Sequence, residues 1–598
     1  MSSFQKYISL LDRQYFSSFY FNPVFRLPIV NRDIKPIARA LVGGVCGGLL
    51  VLCSHTAFAQ QAPDAGAIQQ EIEAEKYPVE NKVPEDIVPT APPEKDGGPE
   101  VTINQFNFYG NTLLGEDALF EVVRPWMNKV LSLAELNYVS SLIAKRYQDS
   151  GYLVRVYLPK QNIKDGTVVI AIVEAKFGKA VIQDSQRIDS EIISSRFAKR
   201  IIASGQSQGD TLDLKRLERT TLILNDLPGI VAKNILVAGE HEGETDVSVD
   251  VSSEPQYSGA VSIDNHGVKS TGETRVTPSL TIANPFRRGD DIRLIGLFSE
   301  GNLYGRASYG HPLMANGLRG DVSASFLSYR LGAEFEDLNA KGDAVTVAAG
   351  VTYPVLRQLR QNLNVTGRIE QRDYENSQLD ETVSDISISA IHLGVNGNKI
   401  DSMGKGGISY FGATLAFGDV DLSGNATNQA QDALGPETEG SYSVLSWNYG
   451  RLQKVADKTN VWASLIGQVT GDKLDSSETI SLGGPNGVRA YPVLEASGDS
   501  GAIFTLEVRH QFDQNILLTG FFEYGQVIQK ETQAQEQDTL NLKGIGASLL
   551  WTHPSNFSAS IDIARRIGDN PLADEATGND SNGSKTLWPV WISVSKHF

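Results

Sequence analysis

The sequence predicts a mostly β protein, with two small α/β modules followed by an antiparallel β-barrel that spans a membrane. Three observations lead to this fold class. A secretory signal precedes residue 60, and an order of strand, helices, strand and strand occurs twice between residues 101 and 254. Residues 255–598 then alternate between apolar and polar side chains without any helical pattern.

The composition of the chain argues against several classes of function. The chain has 598 residues and a net charge of −18, and no Lys/Arg-rich face occurs in it. On these electrostatic grounds we predict that it does not bind nucleic acid. A chain of this length suits about two to four domains. The eight histidines lack metal-ligand spacing, and no phosphate-binding G-x-x-x-x-G-K motif is present. We therefore expect no metal and no cofactor.

The first 59 residues are predicted to be a secretory signal peptide. A basic flank precedes an apolar run from Ala40 to Cys53, and small residues at Ala57 and Ala59 suit cleavage after Ala59. The run is too short for a comfortable membrane span. Because Cys46 and Cys53 are the only cysteines, cleavage would leave an exported chain without disulfides. An extended signal and a start codon further downstream both stay open.

Residues 60–100 begin with a helical pattern and continue as a proline-rich stretch. The pattern covers Ala65–Tyr77, and six prolines follow between residues 78 and 99. The segment is therefore predicted to be a helix on a polar tether. A linker that is disordered throughout is the alternative that composition leaves open.

Residues 101–178 form the first predicted α/β module. Ser132 and Glu135 match a capping box that starts a helix, and Gly151 is placed to end it. Together with the flanking strands this gives one sheet with helices on one face. The same order recurs in residues 179–254, which form the second module. Two copies of one fold in series indicate a docking module rather than an enzyme.

Residues 255–598 form the predicted barrel. In Ile503–Phe512, Phe557–Ile563 and Trp588–Phe598 alternate residues are apolar over most of each segment. Two packed soluble sheets would show the same period. Glu, Arg and Gln on the polar face of many strands, with an aromatic residue closing the last one, favour a closed barrel with an aqueous lumen. At roughly 20 residues per strand and turn, the segment accommodates about 16 strands.

One motif of the second module is similar to a catalytic one. Gly205–Gly209 matches the G-x-S-x-G nucleophile elbow, in which Ser207 would be the nucleophile. That chemistry requires a sharp turn between a buried strand and a helix, whereas a polar helical pattern precedes this motif. We therefore predict a loop here and a protein that is not an enzyme.

Arg489 is the candidate functional residue of a long loop. The stretch SLGGPNGVRAYP, residues 481–492, carries this arginine without an acidic neighbour. In the predicted strand Ile516–Tyr524, alternation turns Glu523 towards the lumen, where its carboxylate suits a bidentate pair with a guanidinium. Glu507 and Arg509 are competing lumenal charges. An arginine in solvent on an external loop is the alternative.

Two motifs of the C-terminal region are similar to those of a known family. Val488–Tyr491 resembles the VRGY/F motif and Phe521–Gly525 resembles the F-x-D-x-G motif of two-partner secretion transporters, the TpsB branch of the Omp85 superfamily. Further segments resemble the family in the same order along the chain. They are Phe108–Thr112, Leu158–Gln161, Asn225–Gly229, Ile263–Gly267, Asn284–Pro285 and Tyr309–Leu313.

The resemblance implies an architecture and a site. The two α/β modules resemble periplasmic POTRA domains, and the C-terminal region resembles the family's 16-stranded outer-membrane barrel. In the family the motif-bearing loop folds into the barrel, so by resemblance Arg489 contacts Glu523. Val488, Tyr491 and Gly525 belong to the same two motifs and complete the expected lock between loop and barrel.

The sequence departs from the family motifs at the loop tip and at its partner. Ala490 replaces a glycine, so a positive φ at this position would strain the backbone. Glu523 replaces an aspartate and reaches one methylene further. The helical pattern of Ala65–Tyr77 matches in position the family's plug helix, although its sequence is not specific.

The resemblance also implies a function. It indicates an outer-membrane pore that exports, and in the family can activate, a large secreted partner protein. The unfolded partner would bind at the POTRA edges by adding strands to them. We expect a monomer surrounded by outer-membrane lipid. An Omp85-type insertase of outer-membrane proteins is the alternative, but it usually carries more POTRA modules, and a passive porin needs none.

Overall fold

The computed structural model describes residues 62–73, 100–184, 200–202, 204–241, 243–529, 538–574 and 576–598. The predicted signal peptide and the predicted tether lie outside these residues. The first described helix, α1 (Ala65–Glu73), falls within the predicted helical segment. Among the helices of the described residues, none is long and apolar enough to cross a membrane.

The first module contains one three-stranded sheet and one separate strand pair. Its elements are β1 (Glu100–Ile103), β2 (Gln105–Tyr109), α2 (Glu116–Val123), β3 (Lys129–Ser132), α3 (Leu133–Asp149), β4 (Val154–Tyr157) and β5 (Thr167–Glu174). Strand β5 lies between β2, which is parallel to it, and β4, which is antiparallel, while β1 pairs with β3. Helix α3 begins at the predicted capping box of Ser132 and Glu135. It ends before Gly151, whose φ of 96° favours glycine.

Glu174 joins the end of β5 to the loop after β2. Its carboxylate accepts hydrogen bonds from the N–H groups of Thr112 and Leu113, at 2.7 and 2.8 Å, and from the Tyr147 hydroxyl at 3.1 Å. Burial alone would raise the pKa of Glu174, but the hydrogen bonds from Thr112, Leu113 and Tyr147 lower that pKa below its usual value. The ionised carboxylate therefore stabilises the first module.

The second module repeats the sheet arrangement of the first. Its elements are β6 (Lys176–Asp184), α4 (Leu214–Asn225), β7 (Ile230–Ala238) and β8 (Glu244–Ser253). Strand β8 is central, parallel to β6 and antiparallel to β7. The side chain of Asp213 caps α4 by accepting hydrogen bonds from two N–H groups of its first turn. The Leu214 N–H donates to the Gly151 carbonyl at 2.7 Å, which joins the two modules.

Sixteen antiparallel strands form a closed barrel. The first eleven are β9 (Tyr257–Asp264), β10 (Arg275–Ala283), β11 (Asp291–Phe298), β12 (Asn302–Pro312), β13 (Arg319–Arg330), β14 (Lys341–Arg357), β15 (Gln361–Gln378), β16 (Glu381–Asp401), β17 (Gly407–Asp421), β18 (Gly440–Ala456) and β19 (Thr459–Thr470). In the loops lie α5 (Ala426–Asp432) and the short pair β20 (Ile480–Ser481) and β21 (Ser497–Gly498). The last five are β22 (Ser500–Gln511), β23 (Ile516–Gln529), β24 (Asp538–His553), β25 (Phe557–Arg566) and β26 (Val590–His597). Strand β26 pairs with β9 and closes the barrel.

The two faces of the barrel strands differ as the alternation predicts. On β23, Leu517, Phe521 and Glu523 are buried in the lumen, whereas Leu518 is 40% exposed on the outer face. The soluble sandwich considered from the sequence is wrong, because this sheet closes on itself rather than packing on a second sheet. One detail also differs, because Trp588 lies before β26 and not within it.

The second module contacts turns at one end of the barrel. Asp226, the residue after α4, accepts two hydrogen bonds of 2.8 and 2.6 Å from Arg357 at the end of β14. Arg219 of α4 donates to the Pro354 carbonyl at 2.6 Å. The Arg357 side chain is 6% exposed and that of Asp226 is 26% exposed, so this bidentate pair is partly shielded from water and holds the module against the barrel.

Candidate functional site

The loop between β19 and β22, residues 471–499, folds into the barrel lumen, and we call it the inward loop. Its two sides meet in the pair of β20 and β21. Near its tip the Val488 N–H donates to the Leu482 carbonyl at 2.7 Å, and the Tyr491 N–H donates to the Val488 carbonyl at 3.1 Å. Gly484 has a φ of 97°, which a glycine adopts without strain. The tip is therefore compact and hydrogen-bonded within itself.

Arg489 at the tip contacts Glu523 on the lumenal face of β23. Its main-chain N–H donates to Glu523 Oε2 at 2.7 Å, and its Nε donates to Glu523 Oε1 at 2.5 Å. Its guanidinium also lies 3.5 Å from the centroid of the Phe521 ring, a cation–π contact. The Arg489 side chain is 10% exposed and that of Glu523 is 2% exposed. The structure thus brings together the two residues that the sequence singled out, and it buries both.

Glu507 and Trp591 also contact Arg489, and the Asp562 carboxylate lies 3.9 Å from Arg489 Nη1. Arg489 Nη2 donates to Glu507 Oε1 at 2.7 Å, while Arg509 Nε donates to the other oxygen of Glu507 at 2.8 Å. Glu507, treated from the sequence as a competitor of Glu523, is thus a second partner of the same arginine. Trp591 Nε1 donates to the Arg489 carbonyl at 2.8 Å, a contact that the sequence analysis missed. The sequence did indicate it, because Trp591 lies between the alternating apolar residues of the last strand and therefore faces the lumen.

Val488, Tyr491 and Gly525 lie where the inward loop packs on the wall. Val488 and Tyr491 are fully buried, in a cluster that includes Leu482 and Phe521. A Cβ atom added at Gly525 would lie 3.0 Å from Leu482 Cδ2 and 3.1 Å from Val488 Cγ2. Glycine at this position of β23 therefore lets the loop approach the strand closely.

Ala490 is accommodated without the backbone strain considered from the sequence. The residues with positive φ in this loop include Gly484, Leu494 and Ala496, but not Ala490. Its methyl group faces β24, where a Cβ atom added at Gly544 would lie 2.8 Å from Ala490 Cβ. The missing side chain at Gly544 therefore leaves room for the methyl group that replaces the family's glycine.

The loop between β25 and β26 also contacts the inward loop. Glu495 of the inward loop is fully buried and accepts a hydrogen bond from Asn570 Nδ2 at 2.5 Å. Arg566 at the end of β25 pairs with Asp580 at 2.7 Å and lies 5.0 Å from the centroid of the Tyr491 ring. The inward loop is thus held by a neighbouring loop as well as by the wall.

Helix α1 lies in the lumen beside the inward loop. Ala65 and Ile68 are buried against apolar lumenal side chains, and the Ala65 N–H donates to Asn376 Oδ1 at 3.0 Å. Asp64 accepts hydrogen bonds of 2.7 and 2.8 Å from the Ser476 hydroxyl of the inward loop. The helix therefore contacts both the wall and the loop.

Two glutamates of α1 pair with arginines of the wall. Glu71 accepts hydrogen bonds of 2.9 and 3.2 Å from Arg275 Nη1 on β10. Glu73 accepts one of 3.0 Å from Arg306 on β12 and one of 2.8 Å from the Tyr304 hydroxyl. Charge-assisted hydrogen bonds of this kind fix the position of the helix in the lumen.

The elbow-like motif around Ser207 lies in a turn. Residues 200–202 before it are helical, and the Ser207 N–H donates to the Asp210 carboxylate at 2.9 Å. A nucleophile elbow needs a strand directly before its serine, so this turn lacks the required geometry. Within the described ranges, no group of three or more His, Cys, Asp or Glu side chains could hold a metal ion.

Comparison with known proteins identifies the family. Residues 243–550 match the family described as haemolysin secretion/activation protein ShlB/FhaC/HecB. Residues 101–175 match the POTRA domain of the ShlB type. The chain belongs to this haemolysin secretion/activation family. The resemblance to two-partner secretion transporters that the motifs predicted is confirmed.

Similar proteins are transporters of comparable length. The chain is 25% identical over 588 residues to the heme/hemopexin transporter protein HuxB of Haemophilus influenzae, over 94% of this chain and 100% of HuxB. It is 25% identical over 433 residues to the outer membrane transporter CdiB of Dickeya dadantii, over 69% of this chain and 73% of CdiB. The solved structure of CdiB from Escherichia coli aligns with a TM-score of 0.62 at 19% identity, over 90% of this chain and 96% of that one. This likeness confirms the fold class.

The family also gives the location. The barrel lies in the outer membrane and the POTRA modules lie in the periplasm, as predicted. Members of the family are transporters. Since β9 follows the second module directly, the end of the barrel where Arg357 and Pro354 contact that module is the periplasmic one. The part that Arg489 and its neighbours play in transport stays a prediction.

Proposed function

We propose that this chain exports a large secreted protein across the outer membrane, as a monomer that acts by binding and gating rather than by catalysis. The observation that carries the proposal is the content of the lumen. A 16-stranded barrel of a transporter family holds a helix and a loop inside it, each attached by charged pairs. A pore filled in this way conducts nothing large until both elements move, which suits regulated passage better than free diffusion.

Glu523 and Arg489 support the gating part of the proposal. Both side chains are nearly excluded from water, and Glu523 receives hydrogen bonds from both the main chain and the side chain of Arg489. This double contact defines the position of the loop tip along β23. We propose that Val488, Tyr491 and Gly525 complete this lock by packing the tip against the strand.

The outer edge of β7 supports capture of an unfolded partner. The side chain of Asn225 bonds the N–H and the carbonyl of Ala232, at 2.6 and 3.0 Å, so these main-chain groups point away from β8. Strand periodicity turns those of Asn234 and Leu236 to the same side. An extended chain that adds to this edge gains main-chain hydrogen bonds with little dependence on its sequence. We propose this edge as a partner-binding site.

Strand β6, the opposite edge of the same sheet, is less suited to strand addition. The Phe177 N–H donates to the Asp210 carbonyl at 2.7 Å, and the Phe177 carbonyl accepts from the Gly209 N–H at 2.7 Å. The loop before α4 therefore occupies part of that edge. This contrast favours β7 as the edge that receives the partner.

Secretion of a partner protein tests the proposal. Cells that express this chain together with a large secreted protein encoded beside it should release that protein into the medium, and cells without this chain should retain it. The Ala238→Pro variant, which removes a main-chain donor at the exposed end of β7, should lower export, whereas Ala238→Ser should not. Loss of several other outer-membrane proteins on depletion of this chain would instead favour the insertase alternative.

A further inference from the structure

The junction between β9 and β26 has the shortest ladder of paired residues in the described barrel. It pairs Ala260–Asp264 with Ser593–His597, and reciprocal main-chain bonds of 3.0 Å between Gly259 and Phe598 extend it at the periplasmic end. The ladder between β15 and β16, in contrast, includes the whole of Gln361–Gln378. The barrel is therefore closed at the junction with the fewest register pairs, five against six or more at every other described junction, and we call this place the seam.

A side chain extends the seam at its extracellular end. Asn265 Oδ1 accepts a hydrogen bond from the Ile592 N–H at 2.7 Å, and Asn265 Nδ2 donates to the Val590 carbonyl at 2.8 Å. The Asn265 N–H also donates to the Ile592 carbonyl at 3.2 Å. One amide group thus takes the place of a further ladder pair, and the regular pairing of main chains ends here.

The inward loop contacts the β26 side of the seam just beyond this point. Trp591 on β26 donates to the Arg489 carbonyl at 2.8 Å and is 8% exposed. The ring of His266, which follows β9, lies edge-on against the Trp591 ring at 5.9 Å between centroids. The tip that carries Arg489 is therefore attached to the last strand as well as to β23.

Helix α1 contacts the β9 side of the seam through one arginine. Asp264, the last residue of β9, accepts a hydrogen bond from Arg275 Nε at 2.8 Å. The same guanidinium donates to Glu71 of α1 at 2.9 Å. The side chains of Arg275, Asp264 and Glu71 are each 10% exposed or less. The helix is thus joined to the first strand through a chain of three charged groups that is nearly dry.

We propose that the two elements in the lumen brace the seam from inside, α1 through Arg275 of β10 and its partner Asp264 on the first strand, and the inward loop through Trp591 on the last. Trp591 and Arg275 are then positioning residues that link the content of the lumen to the closure of the barrel. When the helix and the loop move, the junction with the shortest ladder loses both of its internal contacts. This goes beyond export itself, and it is testable without any partner protein.

Two pairs of variants of the full chain, folded in lipid vesicles, test the proposal. Trp591→Phe removes the donor to Arg489 and keeps a ring, and its control is Trp462→Phe, a buried lumenal tryptophan of β19. Glu71→Gln removes the charge opposite Arg275, and its control is Asp401→Asn, which removes the charge opposite Arg451 on β18, away from both lumenal elements.

Amide hydrogen exchange of Ala260–Asp264 and Ser593–His597 provides the local measurement. Trp591→Phe and Glu71→Gln should each speed this exchange about tenfold, while that of β14 to β16 stays unchanged. The two controls should leave exchange at the seam within about twofold of the unsubstituted chain. Seam exchange that rises equally in a variant and its control, or that does not rise at all, would overturn the proposal.

A disulfide across the seam supplies a second measurement. The hydroxyls of Ser262 and Ser595 lie 2.8 Å apart on facing strands, and the native cysteines precede the predicted cleavage site. The Ser262→Cys/Ser595→Cys disulfide should return seam exchange in the Trp591→Phe variant to the level of the unsubstituted chain, and reduction should reverse this. If the oxidised variant still exchanges fast at the seam, Trp591 acts elsewhere and the proposal fails.

Discussion

Substitution of Arg489 by alanine is the sharpest test of the contact between the inward loop and the barrel. The substitution removes the guanidinium from Glu523 and Glu507, from the more distant Asp562 at 3.9 Å, and from the Phe521 ring, but it leaves the main-chain N–H that donates to Glu523. Glu507 keeps its hydrogen bond from Arg509. Glu523, at 2% side-chain exposure, therefore bears most of the loss.

The burial of Glu523 determines how much free energy of loop attachment the Arg489→Ala substitution removes. Removal of one partner from a buried ion pair typically costs about 3–5 kcal/mol, because the remaining charge stays desolvated. The main-chain hydrogen bond that Glu523 retains argues for the lower end, about 3 kcal/mol of loop attachment. The single substitution Glu523→Gln should cost less, because Arg489 then keeps Glu507. In a double-mutant cycle the two substitutions should be less than additive.

Three measurements test the prediction for the Arg489→Ala variant. Export of the secreted partner should fall strongly in the Arg489→Ala variant, whereas heat-modifiable migration should show a barrel that is still folded and inserted. Proteolysis of the inward loop from outside should become faster, because the tip is released. Export at the rate of the unsubstituted chain would refute the assignment of Arg489 as a lock, and so would a loop that stays protected.

Three further predictions concern other parts of the structure. Gly544→Ala should displace the loop tip and lower export, because its methyl group would lie 2.8 Å from Ala490 Cβ, and addition of Ala490→Gly should restore export. Arg357→Lys should lower export and increase hydrogen exchange where the second module meets the barrel, because lysine cannot form the bidentate pair. The ionised Glu174 stabilises the first module above its ordinary pKa of about 4.3, and this stability is lost as pH falls through its lowered folded-state pKa. Protection factors of the β5 amides, which correct for the intrinsic slowing of exchange at low pH, should therefore fall towards acidic pH in the natural chain, and less so in Glu174→Gln.

The alternation of side chains along single strands was readable from the sequence. It turned Glu523 towards the lumen and Leu518 away from it, which is what the structure has. Ser132 and Glu135 likewise form the capping box that their spacing predicts. These features depend on residues close together in the chain, and local backbone geometry determines them.

Contacts that depend on strand register could not be predicted from the sequence. In the ladder of β22 and β23, Glu507 lies opposite Phe521 and Thr505 lies opposite Glu523. Glu507 and Glu523 are therefore two register positions apart on neighbouring strands, which brings both within reach of Arg489. No local sequence pattern predicts this strand register. The contact of Trp591 with Arg489 joins residues that are 102 positions apart, and it depends on how the intervening strands are arranged in the barrel. The pairing of Arg489 with Glu523 itself came from the family motifs and not from spacing.

The exposure of the charged pairs indicates the order in which contacts of α1 and of the inward loop with the barrel wall separate. Glu73 of α1 is 23% exposed and its partner Arg306 is 19% exposed, so water partly solvates this pair. Arg489 and Glu523 are 10% and 2% exposed, and the loop tip also buries Val488 and Tyr491. Because partly solvated pairs cost less to separate than dry ones, we expect the Glu73–Arg306 pair to separate before the Arg489–Glu523 pair. The second pair of α1, Glu71 with Arg275, is 10% and 8% exposed and should hold the helix until later. Raised salt would weaken the wetter pair first, since mobile ions screen buried charges poorly.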